Sequence, residues 1–222
     1  MDLMKNFISL SKNLEIVSTL EVFSLSDRLD FGVLSSKELE ICSKFTSAKR
    51  KDQFVAGRIA CKKAFFSLIT GNSNCFDKFS SISVLNTETG APFIENFDFC
   101  VSISHSHELA IASISRYAIG VDIERIDSKR TSALKRMSAE CPSEDVRDLT
   151  AFWTLKESLG KALRTGIVEG FERYQAKNLY VTEGIYRCEF KNFPFLGIAI
   201  TDTRYAIGIV VKDRKNLRSI DF

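Results

Sequence analysis

Apolar residues recur at helical spacing between Ser47 and Ile69, where Phe54, Val55, Ile59, Ala60, Ala64, Phe65 and Leu68 form one stripe that Gly71-Asn72 interrupts. The pattern predicts one long amphipathic helix. Alternating β-type runs follow at Ser81 to Leu85, Phe99 to Ser104, Leu109 to Ser115 and Ile119 to Ile123, with a turn containing Gly90 and Pro92 before the second run. They predict a small meandering sheet. Helical periodicity returns from Asp145 to Arg164, burying Leu149, Phe152, Leu155, Leu159 and Leu163, and strands are then predicted at Ala176 to Val181, Gly184 to Phe190, Gly197 to Thr201 and Tyr205 to Val211. Helix followed by sheet thus occurs twice. The expected architecture is α+β, a pseudo-dimer of two similar halves, each a long helix packed on a small antiparallel sheet. The expected halves are residues 1–116 and 117–222, dividing near Arg116 to Ala118.

Composition leaves this picture intact and narrows the function. The 222 residues are 45% hydrophobic and 27% charged, which excludes a disordered or fibrous chain. A formal charge of +3 is too mild to indicate nucleic acid and favours an anionic ligand or acidic partner. Cys42, Cys61, Cys75, Cys100, Cys141 and Cys188 show no paired spacing and read as reduced core thiols. The stretch Phe7 to Phe23 is broken by Lys12, Asn13 and Glu15, so no membrane span is read there and a soluble, cytoplasmic protein is expected. His105 and His107 are the only histidines, so zinc lacks ligands and any metal is expected to be held by oxygen.

Asp122 and Glu124 lie two residues apart in the run Ala118-Ile119-Gly120-Val121-Asp122-Ile123-Glu124, which puts both carboxylates on one face of a strand. Two such acids are either a solvated strand end, one of them paired with Arg125, or half of a site for a hard cation such as Mg²⁺. Trp153, Glu157, Lys161 and Arg164 follow at spacings of four, four and three along one face of the second helix, with Lys156 beside them. That face is either an exposed ion-pair ladder or the third acid and the cations of a metal-dependent enzyme acting on a diphosphate. Ser102-Ile103-Ser104-His105-Ser106-His107 closes a strand as either a hydroxyl-rich turn or a set of phosphate donors. Arg58 and Lys62 share a face of the first helix, where charges are usually just solvated. No GxSxG elbow, Walker loop or GxGxxG is present, so hydrolase, P-loop and dinucleotide chemistry have no support.

In this order the segments resemble the 4′-phosphopantetheinyl transferases of the larger, surfactin-synthetase-activating type. Phe54-Val55-Ala56-Gly57-Arg58 is similar to the first-helix motif, Thr89-Gly90-Ala91-Pro92 to the G-K-P loop, and Ser102-Ile103-Ser104-His105-Ser106 to N-x-S-H-S. Gly120-Val121-Asp122-Ile123-Glu124 matches G-[IV]-D-[IV]-E, and Trp153-Thr154-Leu155-Lys156-Glu157-Ser158 with Lys161 matches W-x-x-K-E-S-x-x-K. Two positions depart: Ala91 stands for the lysine of G-K-P, and Ser102 for the asparagine before S-H-S.

The resemblance implies transfer of 4′-phosphopantetheine from coenzyme A to a serine of an acidic acyl or peptidyl carrier protein, releasing adenosine 3′,5′-bisphosphate. It also implies Mg²⁺ on Asp122, Glu124 and Glu157, with Glu157 and Lys161 catalytic. Coenzyme A would be bound by Arg58, Gly90, Pro92, Ser104, His105, Lys156 and Lys161. A monomer is expected, with no nucleic-acid or membrane partner. Two rivals use the same residues, a Mg²⁺-dependent phosphodiesterase or nuclease and a non-catalytic protein that docks carriers.

Overall fold

The computed structural model describes residues 18–24, 29–168 and 170–213, so most of Phe7 to Phe23 and the tail beyond Asp213 lie outside it. Among the described residues no helix is long and apolar enough to cross a membrane. The chain folds as two compact units that meet in sequence between Arg116 and Tyr117.

In the N-terminal unit, helix α1 (Ser36–Ser43) starts at Ser35, whose hydroxyl accepts from the Glu38 N–H while the Glu38 carboxylate returns to the Ser35 N–H, a capping box. Helix α2 (Ala48–Thr70) starts after Ser47 and stops at Gly71, whose φ of 72° is the left-handed turn that a residue without Cβ adopts at no steric cost. Its apolar face packs on a three-stranded antiparallel sheet with strand β1 (Ser18–Ser24) at one edge. Strand β5 (Leu109–Ser115) is central and strand β4 (Cys100–Ser106) lies on its other side. Val55, Ile59 and Phe65 from α2 meet Ala110, Ala112 and Ile114 from β5 in one core. Each large aliphatic or aromatic side chain buried this way contributes about 1.5–3 kcal/mol. Strands β2 (Val84–Asn86) and β3 (Pro92–Ile94) form a separate hairpin with Asn86 opposite Pro92.

The C-terminal unit opens with strand β6 (Ile119–Arg125) and continues through the short helix α3 (Thr131–Met137) to helix α4 (Val146–Ala162). Asp145 caps α4, its carboxylate accepting from the Arg147 N–H at 2.8 Å. Strands β7 (Ala176–Thr182), β8 (Ile185–Phe190), β9 (Phe195–Thr201) and β10 (Tyr205–Lys212) complete a five-stranded antiparallel sheet in the order β6-β10-β9-β8-β7. Leu149, Phe152, Leu155 and Leu159 of α4 are all buried. Both units therefore pair one long helix with a small antiparallel sheet.

Three expectations need correction. Ile119 to Ile123 does not extend the first sheet, because β6 pairs with β10 and belongs to the second. Of the run Ser81 to Leu85 only its last two residues are strand, since Phe76–Ser81 coils as a 3₁₀ turn that seats Phe79 in the core. Arg164 lies beyond the end of α4 with a φ of 61°, so it does not continue the Trp153, Glu157, Lys161 face.

Candidate active site

Gly120 and Gly208 stand on the neighbouring strands β6 and β10, where the helix α4 backbone comes down onto the sheet. A Cβ on Gly120 would lie 1.8 Å from the Ser158 carbonyl oxygen, and one on Gly208 would lie 2.9 Å from the Thr154 backbone. Only glycine permits that approach at Gly120. The Ser158 hydroxyl fastens it by donating to the Gly208 carbonyl at 3.0 Å. Asp122 and Glu124 follow Gly120 on its side of the strand, so the side chains one turn beyond Trp153 on α4 fall over them.

The Lys161 ammonium consequently donates to Asp122 Oδ1 at 2.7 Å. Glu124 receives Arg130 Nη1 on Oε2 at 2.7 Å and the indole N–H of Trp153 on Oε1 at 3.3 Å. The partner of Glu124 is thus Arg130, six residues on. Trp153 is itself held by Leu134, Leu149 and the edge-on Phe171 ring. Burial, then the negative charges of Asp122 and Glu124, push the Glu157 carboxyl above the usual carboxylate range, against the pull of Lys161 and Arg130. Asp122, Glu124, Glu157 and Lys161 therefore share one electrostatic neighbourhood, as their spacing predicts.

Whether this set suits a divalent cation depends on its donors. Among the described residues no three His, Cys, Asp or Glu groups are close enough to hold a metal as they stand, so the expected trio is not assembled in this conformation. Lys161 and Arg130 sit on the acids in its place. The chemistry nevertheless fits: all donors are hard oxygens, and the half-buried Glu157 carboxyl lies within the field of both Asp122 and Glu124.

Lys156 does not behave as the motif implies. It is 2% exposed, and its ammonium donates to the Met137 carbonyl at 2.7 Å, Glu140 Oε2 at 2.9 Å and the Phe171 carbonyl at 3.2 Å. All three of its donors are used inside the C-terminal unit, so its role is to tie α4 to the segments before and after it.

In the N-terminal unit, Arg58, Gly90, Pro92 and His105 line one cavity of about 400 Å³. Arg50, Gln53 and Asn86, which the motifs do not mark, also line it. Arg50 lies four residues before Phe54 and Gln53 four before Gly57 on the same helix, so helical spacing from those two residues of the first-helix motif points to them. Asn86 reaches the cavity only through hairpin pairing, which leaves no local signal. Phe54 and Phe45 form the aromatic side, with the Arg58 guanidinium 4.2 Å from the Phe54 ring centre and Arg50 5.5 Å from that of Phe45. Ser104 is not among the lining residues. Its neighbours Ile103 and His105 face the cavity, and strand alternation turns the buried Ser104 side chain to the other face of β4.

Arg58 and Lys62 are not solvated charges: Arg58 is 6% and Lys62 0% exposed. The cause is Glu38, also 0% exposed, which accepts the Lys62 ammonium at 2.5 Å and the Val84 N–H at 2.9 Å and lies 3.8 Å from Arg58 Nε. Burial pushes both Arg58 and Lys62 below their usual ranges, and the Glu38 charge opposes that shift. No disulfide joins the six cysteines, and Cys42, Cys61 and Cys188 are buried.

Two family models match this chain. One, described as the 4′-phosphopantetheinyl transferase superfamily, covers residues 118–210, and the other, the 4′-phosphopantetheinyl transferase N-terminal domain, covers residues 40–115. The chain belongs to the 4′-phosphopantetheinyl transferase superfamily and is a transferase of that class. Among its relatives, the holo-[acyl-carrier-protein] synthase of Staphylococcus carnosus is 34% identical over 89 residues, 39% of this chain and 76% of its own length. That of Enterococcus faecalis is 41% identical over 86 residues, 37% of this chain and 72% of its own. The 4′-phosphopantetheinyl transferase gsp of Aneurinibacillus migulanus is 28% identical over 160 residues, 64% of this chain and 62% of its own. A solved holo-(acyl-carrier-protein) synthase from Bacillus anthracis, in complex with CoA (3′,5′-ADP), is 26% identical with a TM-score of 0.37, covering 45% of this chain and 94% of that one.

Proposed function

We propose that this chain transfers the 4′-phosphopantetheine group from coenzyme A to a serine hydroxyl of an apo acyl or peptidyl carrier protein, with Mg²⁺ as cofactor. The observation that carries the reading is the seating of α4 on Gly120, which sets Lys161 against Asp122 and places Glu157 in the field of Asp122 and Glu124. The larger, surfactin-synthetase-activating type is favoured over the single-unit synthases. Holo-[acyl-carrier-protein] synthase relatives align with less than half of this chain, whereas the Aneurinibacillus transferase aligns over 160 residues.

Asp122, Glu124 and Glu157 would hold Mg²⁺, which when bound neutralises charge on the coenzyme A pyrophosphate. Lys161, 28% exposed, turns its ammonium from Asp122 to a phosphate oxygen. Arg58 and His105, on the cavity wall, take the 3′-phosphate. Glu157, or a water that it orients, accepts the serine proton. The serine oxygen forms the new bond to the phosphorus that carries pantetheine. The bond from that phosphorus to the adenylate-side oxygen breaks, and adenosine 3′,5′-bisphosphate leaves with the electron pair. The formal charge of +3 suits an acidic carrier protein.

Intact-mass spectrometry of apo carrier proteins incubated with the chain, coenzyme A and Mg²⁺ tests this directly. A phosphopantetheine adduct on the carrier serine, absent with EDTA and with Asp122→Ala or Glu157→Gln, is the expected result. Adducts that persist in both variants would overturn the assignment of the acids. A chain that binds carriers but never modifies them would support the docking-protein reading instead.

A further inference from the structure

Beyond the Glu38 carboxylate 3.8 Å from its Nε, two groups hold the Arg58 guanidinium. It lies on the Phe54 ring, and its Nη2 donates to Asn86 Oδ1 at 2.7 Å. The other half of the Asn86 amide faces the opposite way, Nδ2 donating to the Gly90 carbonyl at 2.7 Å. One partner is a donor and the other an acceptor, so only one orientation of the amide satisfies both. Asn86 thus joins an arginine on a helix to a glycine in the β2–β3 turn, and all three line the same cavity. The Thr87 hydroxyl holds the turn from inside, accepting the Ala91 N–H at 3.1 Å, and Gly90 itself sits at a φ of 86°.

We propose that Asn86 is a positioning residue for anion binding in this cavity: it aims the Arg58 guanidinium and fixes the Gly90 turn against it. The proposal rests on the coenzyme A reading above, which it deepens. A guanidinium carries five N–H donors in a rigid fork, so anchoring one of them on Asn86 sets the direction of the others. Without that anchor Phe54 and Glu38 still hold the side chain, but the direction of the Nη donors must be fixed by the ligand itself, and affinity falls. The motif is silent about this residue, which lies four positions before the glycine of the G-K-P-like loop.

The test is calorimetric titration of adenosine 3′,5′-bisphosphate into the full chain, with the native sequence, Asn86→Ala, Arg58→Met and the double variant. Arg58→Met keeps an apolar stem against Phe54, and the melting temperature of each variant verifies folding. Losing a hydrogen bond to a charged group predicts about tenfold weaker binding for Asn86→Ala. With Arg58→Met already in place, the same change should cost much less than tenfold, because the part of Asn86 that acts through Arg58 is already gone and only its hold on the Gly90 turn remains to be lost. For coenzyme A in the transfer assay, KM should rise and kcat stay constant.

Equal tenfold losses in both backgrounds, or a lowered melting temperature with unchanged affinity, would overturn the positioning role. Failure of the native chain to bind the bisphosphate at all would overturn the coenzyme A reading itself, which separates the two failures.

Discussion

Glu38→Gln is the perturbation that most sharply tests how the N-terminal unit is held together. The carboxylate is fully enclosed and accepts from the Lys62 ammonium, the Ser35 N–H and the Val84 N–H. Glutamine preserves its volume but turns one accepting oxygen into a donor, so the loss measures charge and hydrogen bonding rather than packing. What remains is an ammonium at 0% exposure whose other hydrogen-bond acceptor is the Val33 carbonyl at 2.8 Å. Breaking a buried pair in this way costs about 3–5 kcal/mol, a large share of the 5–15 kcal/mol typical of a folded domain.

The sign of the pH dependence also follows. Burial holds Lys62 below its unfolded value, so the unfolded chain binds the extra proton and stability rises with pH through that window. Removing Glu38, which raises the Lys62 pKa, widens the window downward. The penalty of the variant relative to the native chain should therefore be largest near neutrality and shrink as Lys62 sheds its proton on the way to about 10.4. Urea denaturation followed by circular dichroism at pH 7 and pH 9.5 measures both values. A loss below about 1 kcal/mol at pH 7, set against the 3–5 expected, or one that fails to shrink at pH 9.5, would refute the reasoning.

Gly120→Ala should destabilise the C-terminal unit by at least the ~3 kcal/mol at the upper end for overpacking, because its Cβ meets backbone and not a side chain that can turn away. Thermal denaturation reads it, and a fall under 1 °C would show that α4 does not rest on that strand. Lys156→Met should lower stability by about 1–3 kcal/mol through its lost hydrogen bonds and leave coenzyme A affinity unchanged. Weakened coenzyme A binding in a variant of native stability would restore the motif's role for this lysine. Burial pushes the Cys61 and Cys188 thiols up to about 12 and Cys141 to about 11. A disulfide reagent at pH 8 should label Cys61 and Cys188 only after unfolding, and mass mapping of the native chain checks this.

Much of this molecule can be read from residue order because the relevant signals are local. Helices α2 and α4 announce themselves by apolar period, and Asp122, Glu124, Glu157 and Lys161 by spacings that put them on facing surfaces. The features that local patterns do not carry depend on pairing at a distance. Strand β6 looks like a continuation of the run before it, and only its register with β10 assigns it to the second sheet. Lys62 looks like a solvated charge on an amphipathic helix until its burial against Glu38 is seen. Lys156 carries the motif's identity but, one residue from Glu157, points 100° around the helix into a different set of partners. Short elements such as α1, α3 and β3 have too few residues for a period to emerge.

The two glycines beneath α4 set its separation from the sheet by contact between main chains, without side chains as spacers. Side-chain spacers compress and exchange rotamers, so a site standing on them inherits the tolerance of its core. Here the height of Glu157 and Lys161 above Asp122 is fixed by peptide groups, which are the same in every sequence that keeps those glycines. The hydrophobic residues on the rest of α4 are therefore free to vary in size and shape, changing how stable the unit is while leaving the reach between acid and ammonium unaltered.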